Sequence, residues 1–212
     1  MEIIKISEIT KQRSRILLDT EESFVLYKGE IRLLKLKEGM ELRQDTYDNI
    51  MKGILPKRCK MRAMNLLKER SYTSYNLKKK LSDGGYPENV VDDTLAYVTS
   101  FGYVNDLSFA KAYIEQQEKA HTRAEITNKL LTKGISKKLT DEAYYELGLE
   151  REEYSEESSA ELETELIKKT LKKRGFSGLE TYEEKQKVLA YFYRRGFDID
   201  KVRRIMEDYN TD

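Results

Sequence analysis

The stretch Leu77-Lys78-Lys79-Lys80-Leu81-Ser82-Asp83-Gly84-Gly85-Tyr86 decides the fold, because its pattern occurs three times in the chain. Leu77 and Leu81 are one helical turn apart and share a face. The glycine four positions on ends that helix, since the left-handed residue that closes a helix is least strained as glycine. The same steps recur at Ile126, Leu130, Gly134 and Ile135, and again at Val188, Phe192, Gly196 and Phe197. Nine positions after the residue that follows each glycine stands another bulky side chain: Leu95, Tyr144 and Met206. Periodic leucines and terminal glycines occur singly in any helical protein. Three copies with matching steps on both sides of the glycine identify an internal repeat. The repeat distance is 49 positions from Gly85 to Gly134 and 62 from Gly134 to Gly196, so the acidic stretch 150–165 reads as an insertion.

Working outward, each unit comprises three helices: one before the match, one ending at the glycine and one after it. Pro56 fits a helix start, followed by the stripe Ala63, Leu66 and Leu67. Thr73 is placed to cap the next helix, and Pro87 to open a third with Val90, Val91, Leu95 and Val98 facing inward. Asp106 reads as the cap of a fourth helix, carrying Phe109, Ala110, Tyr113 and Ile114. Thr122 with Glu125, and Thr181 with Glu184, are capping boxes, in which side chain and backbone at a helix start satisfy each other. The beginning of the chain differs. Arg13 to Leu18 and Ser23 to Tyr27 are rich in branched and aromatic residues around a polar break, which predicts a β-hairpin. Ile3 to Ile6 offers a third strand, and Ile31 to Leu36 is strand or short helix, stopped by Gly39. Asp45 is placed to cap a helix carrying Tyr47, Ile50 and Met51. The expected organisation is an N-terminal extension over 1–53 and three-helix repeats over 54–103, 104–149 and 150–212. The fold class is all-α, with tandem three-helix-bundle repeats stacked end to end behind a small extension containing a β-hairpin.

Composition narrows the function. Charged residues are 36% of the chain against a usual share of about 25%, and apolar residues only 39%, so the cores are thin. With 39 basic and 38 acidic residues, net charge marks no nucleic-acid partner. The single cysteine, Cys59, excludes a disulfide framework within the chain and suits a reducing compartment. No apolar run is long enough to span a membrane, and the first residues lack a signal-peptide core. The expectation is a cytoplasmic protein.

No catalytic constellation emerges. His121 is the only histidine, which excludes any site needing two, and its place beside a helix cap reads as a solvated position rather than a general base. Cys59 reads as a structural thiol rather than a reactive one. There is no Walker A loop and no GxGxxG. No enzyme activity, cofactor or metal is expected.

Local charge is more informative. Lys168, Lys169, Lys172 and Lys173 share a helix face and are followed by Arg174. Bases late in a helix suit its dipole, which is one explanation. The other is a basic face for phosphate or for an acidic protein surface. Lys78, Lys79 and Lys80 lie on the middle helix of the first repeat. Arg123, Lys129, Lys133, Lys137 and Lys138 surround the matching turn of the second. Arg194 and Arg195 end the middle helix of the third. These residues, with Lys172, Lys173 and Arg174, are the candidate partner-binding set. Of the 15 tyrosines, Tyr72, Tyr75, Tyr103 and Tyr113 are candidates for an interface or for core edges.

Residues 57–149 resemble the RecX family. The resemblance rests on Arg70-Ser71-Tyr72-Thr73 with Leu77-Lys78-Lys79-Lys80-Leu81 and Gly84-Gly85, then on Gly102-Tyr103-Val104-Asn105-Asp106-Leu107-Ser108-Phe109-Ala110, and on Lys133-Gly134-Ile135. It continues more weakly through 157–209, and the N-terminal segment is similar to an extension of longer members. Asn76 stands where the family has glutamate, which leaves the capping box at Thr73 incomplete. Ser108 replaces an arginine, and Glu125 takes a place commonly basic. The resemblance implies a curved, elongated monomer that binds the groove of RecA filaments on DNA and restrains ATP turnover, strand exchange and coprotease activity. Single- or double-stranded DNA, contacted through phosphates by the lysine-rich helices, is a further candidate partner. The rival is a direct DNA-binding or transcription-regulating helical protein, which needs a recognition helix bearing base-reading Arg, Asn or Gln. The lysine-rich helices here offer phosphate contacts instead.

Overall fold

The computed structural model describes residues 1–149, 156–177 and 181–208. The chain divides into two compact units, Met1–Asn105 and Asp106–Asp212.

The first unit opens with an antiparallel sheet of β1 (Ile3–Thr10), β2 (Arg13–Leu18) and β3 (Ser23–Tyr27), in that spatial order. The third strand is thus present and longer than the Ile3 to Ile6 expected. Alternation in β2 turns Ser14, Ile16 and Leu18 to the buried side, and register sets Ile16 opposite Ile6 and Phe24. The ambiguous segment after the sheet is helical: α1 spans Lys28–Leu33, and the Glu30 carboxylate accepts the Tyr27 N–H at 2.7 Å to start it. Asp45 does not cap the next helix. Helix α2 (Gln44–Asp48) is preceded by Arg43 in extended backbone, and Asp45 lies in the first turn, accepting from the Thr46 N–H and the Arg43 guanidinium. Nor does Pro56 begin a separate helix. A π-helical segment, Asn49–Ile54, carries the chain directly into α3 (Leu55–Glu69). Proline has no N–H and its ring crowds the carbonyl four residues back, so a wider turn just before it lets the helix pass.

Helices α4 (Ser74–Ser82) and α5 (Glu88–Ser100) complete the first three-helix set, and α3 packs on both. Thr73 caps α4 by accepting the Asn76 N–H at 3.2 Å. One core joins sheet and helices: Ile3, Ile16, Phe24 and Leu26 are contiguous with Leu55, Ala63, Leu77, Leu81 and Val91. The exposed edge of β3 is closed by the α4–α5 turn, where the Val25 N–H donates to the Gly85 carbonyl at 3.2 Å.

The second unit contains two further three-helix sets. The first is α6 (Asp106–Gln117), α7 (Arg123–Thr132) and α8 (Lys137–Glu146) around Ile114, Ile126, Leu130, Ile135 and Tyr144. Asp106 is the first residue of α6 rather than the residue before it. The second set is α9 (Glu156–Lys173), α10 (Tyr182–Arg194) and α11 (Ile199–Asp208) around Ile167, Leu171, Phe192, Phe197, Val202 and Met206. Both predicted capping boxes are formed, at Thr122 with Glu125 and at Thr181 with Glu184. Ser136 caps α8 as well. The inserted acidic stretch begins at 150–155, which lies outside the described residues.

The repeated glycine has two roles. Gly85 and Gly196 close α4 and α10 with φ of +82° and +76°. Each also faces a neighbour so closely that a Cβ has no room: 2.1 Å from the Val25 Cγ2 at Gly85, and 2.4 Å from the Ala124 Cβ at Gly196.

Candidate partner-binding surface

The candidate cations fall into three groups. Some are committed to neighbours within their own fold. Lys78 lies 2.8 Å from Asp92 and 3.2 Å from Glu88 across to α5. Arg123 reaches Asp141 at 3.1 Å and lies 4.3 Å above the Tyr144 ring. The Lys129 ammonium is 2.9 Å from His121 Nε2, and Lys133 sits 5.5 Å over the Tyr113 ring. Arg174 lies 4.2 Å over Tyr191.

Arg195, also in the candidate set, is committed most deeply within the fold. Its guanidinium donates to the buried Glu125 carboxylate and to the Tyr191 hydroxyl, while its backbone carbonyl accepts from the Thr122 hydroxyl at 3.2 Å. Burial alone pushes the Glu125 carboxyl up. The bond and charge of Arg195, helped by His121 and the Thr122 N–H, outweigh it and hold the carboxyl below its ordinary range. Glu125 is therefore both the cap of α7 and the anchor for the end of α10. The departure from the family pattern at this position has a structural cause within the chain. His121 lies beside the α7 cap as expected but is partly buried rather than solvated, with Nδ1 at 3.2 Å from the same carboxylate.

The remaining cations are exposed and make no ion pair among the described residues: Lys79, Lys80, Lys137, Lys138, Lys172, Lys173 and Arg194. Lys172 and Lys173 occupy the last turn of α9, where the helix dipole accounts for them. Lys137 and Lys138 are different, because they occupy the first turn of α8. Positive charge there opposes the dipole, so stability does not explain it.

Cys59 is buried on α3, and burial pushes its thiol up, away from the reactive thiolate. Among the described residues no group of three or more His, Cys, Asp or Glu is placed to hold a metal ion. No helix of the described residues is long and apolar enough to cross a membrane. Of the singled-out tyrosines, Tyr72 is buried, Tyr113 is half-buried, and Tyr75 and Tyr103 are exposed. Sequence reading missed an open aromatic run at the end of α5. Tyr97 and Phe101 have ring centroids 4.9 Å apart, and Phe101 and Tyr103 are 6.2 Å apart. The signal was the spacing Tyr97, Phe101, Tyr103 around Gly102.

Tandem three-helix modules behind a small sheet define a helical-repeat protein. Two of these modules are similar to domains of the RecX family. Residues 59–97 match the first three-helix domain of RecX, and residues 161–206 match the third. The regulatory protein RecX of Caldanaerobacter subterraneus subsp. tengcongensis is 25% identical over 192 residues, covering 90% of each chain. That of Clostridium beijerinckii is 23% identical over 204 residues, covering 96% of this chain and 92% of the relative. The fold is shared with a crystal structure of regulatory protein RecX at a TM-score of 0.59 and 23% identity, covering 98% of both chains.

Proposed function

We propose that this protein binds the RecA filament assembled on DNA and restrains it, with no chemistry of its own. The observation that carries the reading is the match of two separate three-helix modules, at 59–97 and 161–206, to the first and third domains of RecX. Relatives that span nearly the whole chain bear the name of a regulatory protein. In this reading an array of modules lies along the filament and bridges neighbouring subunits. It thereby limits the motion that ATP turnover and strand exchange require. The unpaired cations of α4, α8 and α10 supply the contacts, to an acidic protein face or to phosphates.

The test is the single-stranded-DNA-dependent ATPase of RecA with substoichiometric amounts of this protein, beside binding to bare DNA alone. Inhibition together with weak bare-DNA binding is the expected result. An unchanged ATPase with tight, salt-sensitive binding to bare DNA overturns the reading in favour of a direct DNA-binding protein.

A further inference from the structure

A cleft of about 710 Å³ opens in the first unit between the β2–β3 strand pair and helices α3 and α4. Its size falls within the range of about 300–1,000 Å³ typical of small-ligand pockets. Strand register and helical spacing build its walls. Arg13 of β2 is paired directly with Tyr27 of β3. Arg58, Met61 and Arg62 line it from one face of α3, and Lys80 with Asp83 from the end of α4.

The charge inside the cleft is one-sided. Four cations meet two carboxylates, Glu30 and Asp83. Glu30 is already used twice, by the Arg58 guanidinium at 2.8 Å and by the Tyr27 N–H at 2.7 Å. Arg13, Arg62 and Lys80 make no ion pair among the described residues. In a chain with 39 bases and 38 acids, three unpaired cations in one concavity are not a consequence of composition. Arg58 is fixed as the floor, lying 4.1 Å from the Tyr27 ring centroid and 5.8 Å from that of Tyr86. Its Nε is buried without a hydrogen-bond partner. Tyr27 and Met61 remain 42% and 63% exposed, an apolar ledge beside the cations.

We infer that this cleft seats a nucleotide of single-stranded nucleic acid. The phosphate lies among Arg13, Arg62 and Lys80, and the base lies against Tyr27 and Met61. Phosphate matches unpaired guanidinium and ammonium groups. An aromatic ring and a thioether next to them serve a base face, which a simple carboxylate ligand lacks and a duplex keeps stacked. The inference concerns bare strand and is tested without RecA, so its failure leaves the regulatory reading standing.

The experiment is fluorescence anisotropy of a labelled thymidine oligonucleotide of about ten residues with the full chain. Reversing Arg62→Glu and Lys80→Glu together is expected to lower affinity by about tenfold or more, and to flatten the dependence of log affinity on log salt by about 1.4. Tyr27→Leu is expected to lower affinity by about fivefold or more with the salt slope kept, as loss of stacking requires. The same charge change at Lys119 and Lys187, exposed cations outside both the cleft and the candidate contact set, leaves affinity within about twofold, since only diffuse attraction is lost there. Both pairs are exposed, and circular dichroism confirms that the fold is retained. Unchanged binding by the folded R62E/K80E protein overturns the inference, as does equal weakening by the Lys119 and Lys187 pair. A duplex that binds as tightly with the same dependence on Arg62 and Lys80 also overturns it. Thymidine monophosphate is the last arm: affinity equal to that of the oligonucleotide, lost in the same variant, replaces the strand with a free nucleotide.

Discussion

Replacing Gly85 by alanine separates the two demands that the repeated turn makes on its glycine. The φ of +82° costs an L-residue about 1–2 kcal/mol, whatever surrounds it. The added Cβ also lies 2.1 Å from the Val25 Cγ2 and 2.9 Å from the Val25 Cβ, so strand or turn must shift. Overpacking of that kind costs about 1–3 kcal/mol, for a total of about 2–5 kcal/mol. Gly102 supplies the control, with φ of +72° and no atom within 4 Å of the place a Cβ would take. Gly102→Ala is expected to cost only the conformational part, about 1–2 kcal/mol. The assay is urea unfolding of the full chain, with hydrogen exchange of the α4 amides assigning the loss to the first unit. Val25→Ala in the Gly85→Ala background removes the nearer clashing carbon and is expected to recover about 1 kcal/mol or more as coupling. Equal losses at Gly85 and Gly102, or no coupling to Val25, refute the claim that this glycine is required by contact as well as by conformation.

Four other outcomes follow from the same geometry. Arg195→Met strands the buried Glu125 carboxylate and is expected to cost about 3 kcal/mol in thermal or urea unfolding, with Glu125→Gln added in the same chain recovering part of it. The Glu125 carboxyl is held below its ordinary value in the folded state, so its contribution is complete above the unfolded pKa of about 4.3 and is lost as pH falls through the folded value. An acid titration of stability should show that loss in the native chain and a smaller one in Glu125→Gln. Reversing Lys79, Lys137 and Arg194 to glutamate is expected to weaken binding to the RecA filament by about tenfold or more with the fold kept; unchanged affinity in co-sedimentation removes these cations from the contact. Cys59 is buried and its thiol is pushed up, so a thiol reagent should modify it only as fast as the first unit opens, with complete protection lost in denaturant.

What was legible in the sequence was whatever local periodicity and chain-reversal chemistry dictate. Leu77 and Leu81, Ile126 and Leu130, and Phe192 are buried as their spacing requires, and the residues after the glycines, Ile135 and Phe197, are buried too. The caps at Thr73, Thr122 and Thr181 are present because a hydroxyl three residues before a free N–H is a local event. The misreadings are of two kinds. Asp45 and Pro56 carry valid start signals, but the core contacts of Ile50 and Leu55 hold one helical path through both. Arg195 reads as a surface base because its partner is 70 positions away, and no local pattern announces a pair at that distance. The cleft between β2–β3 and α3–α4 was hidden for the same reason, since its residues come from five elements, α1 included, brought together only by folding.

The sheet takes on a role at the first repeat that the second repeat takes on at the third. The α4–α5 turn presses Gly85 against Val25 of β3, and the turn after α10 presses Gly196 against Ala124 at the start of α7. Each contact is reinforced by a bond to the turn itself: the Val25 N–H to the Gly85 carbonyl, and the Thr122 hydroxyl to the Arg195 carbonyl. In both cases the glycine turn of a three-helix set docks on the element that precedes that set. A stacked array must cover the docking face of its first member, and polar or specialised end pieces are the usual means. Here a three-stranded sheet provides that cover, with β3 occupying the place that a preceding repeat fills further along the chain. The same arrangement leaves β2 and β3 beside α3 and α4, and the cation-lined cleft is formed where this end piece meets the first repeat.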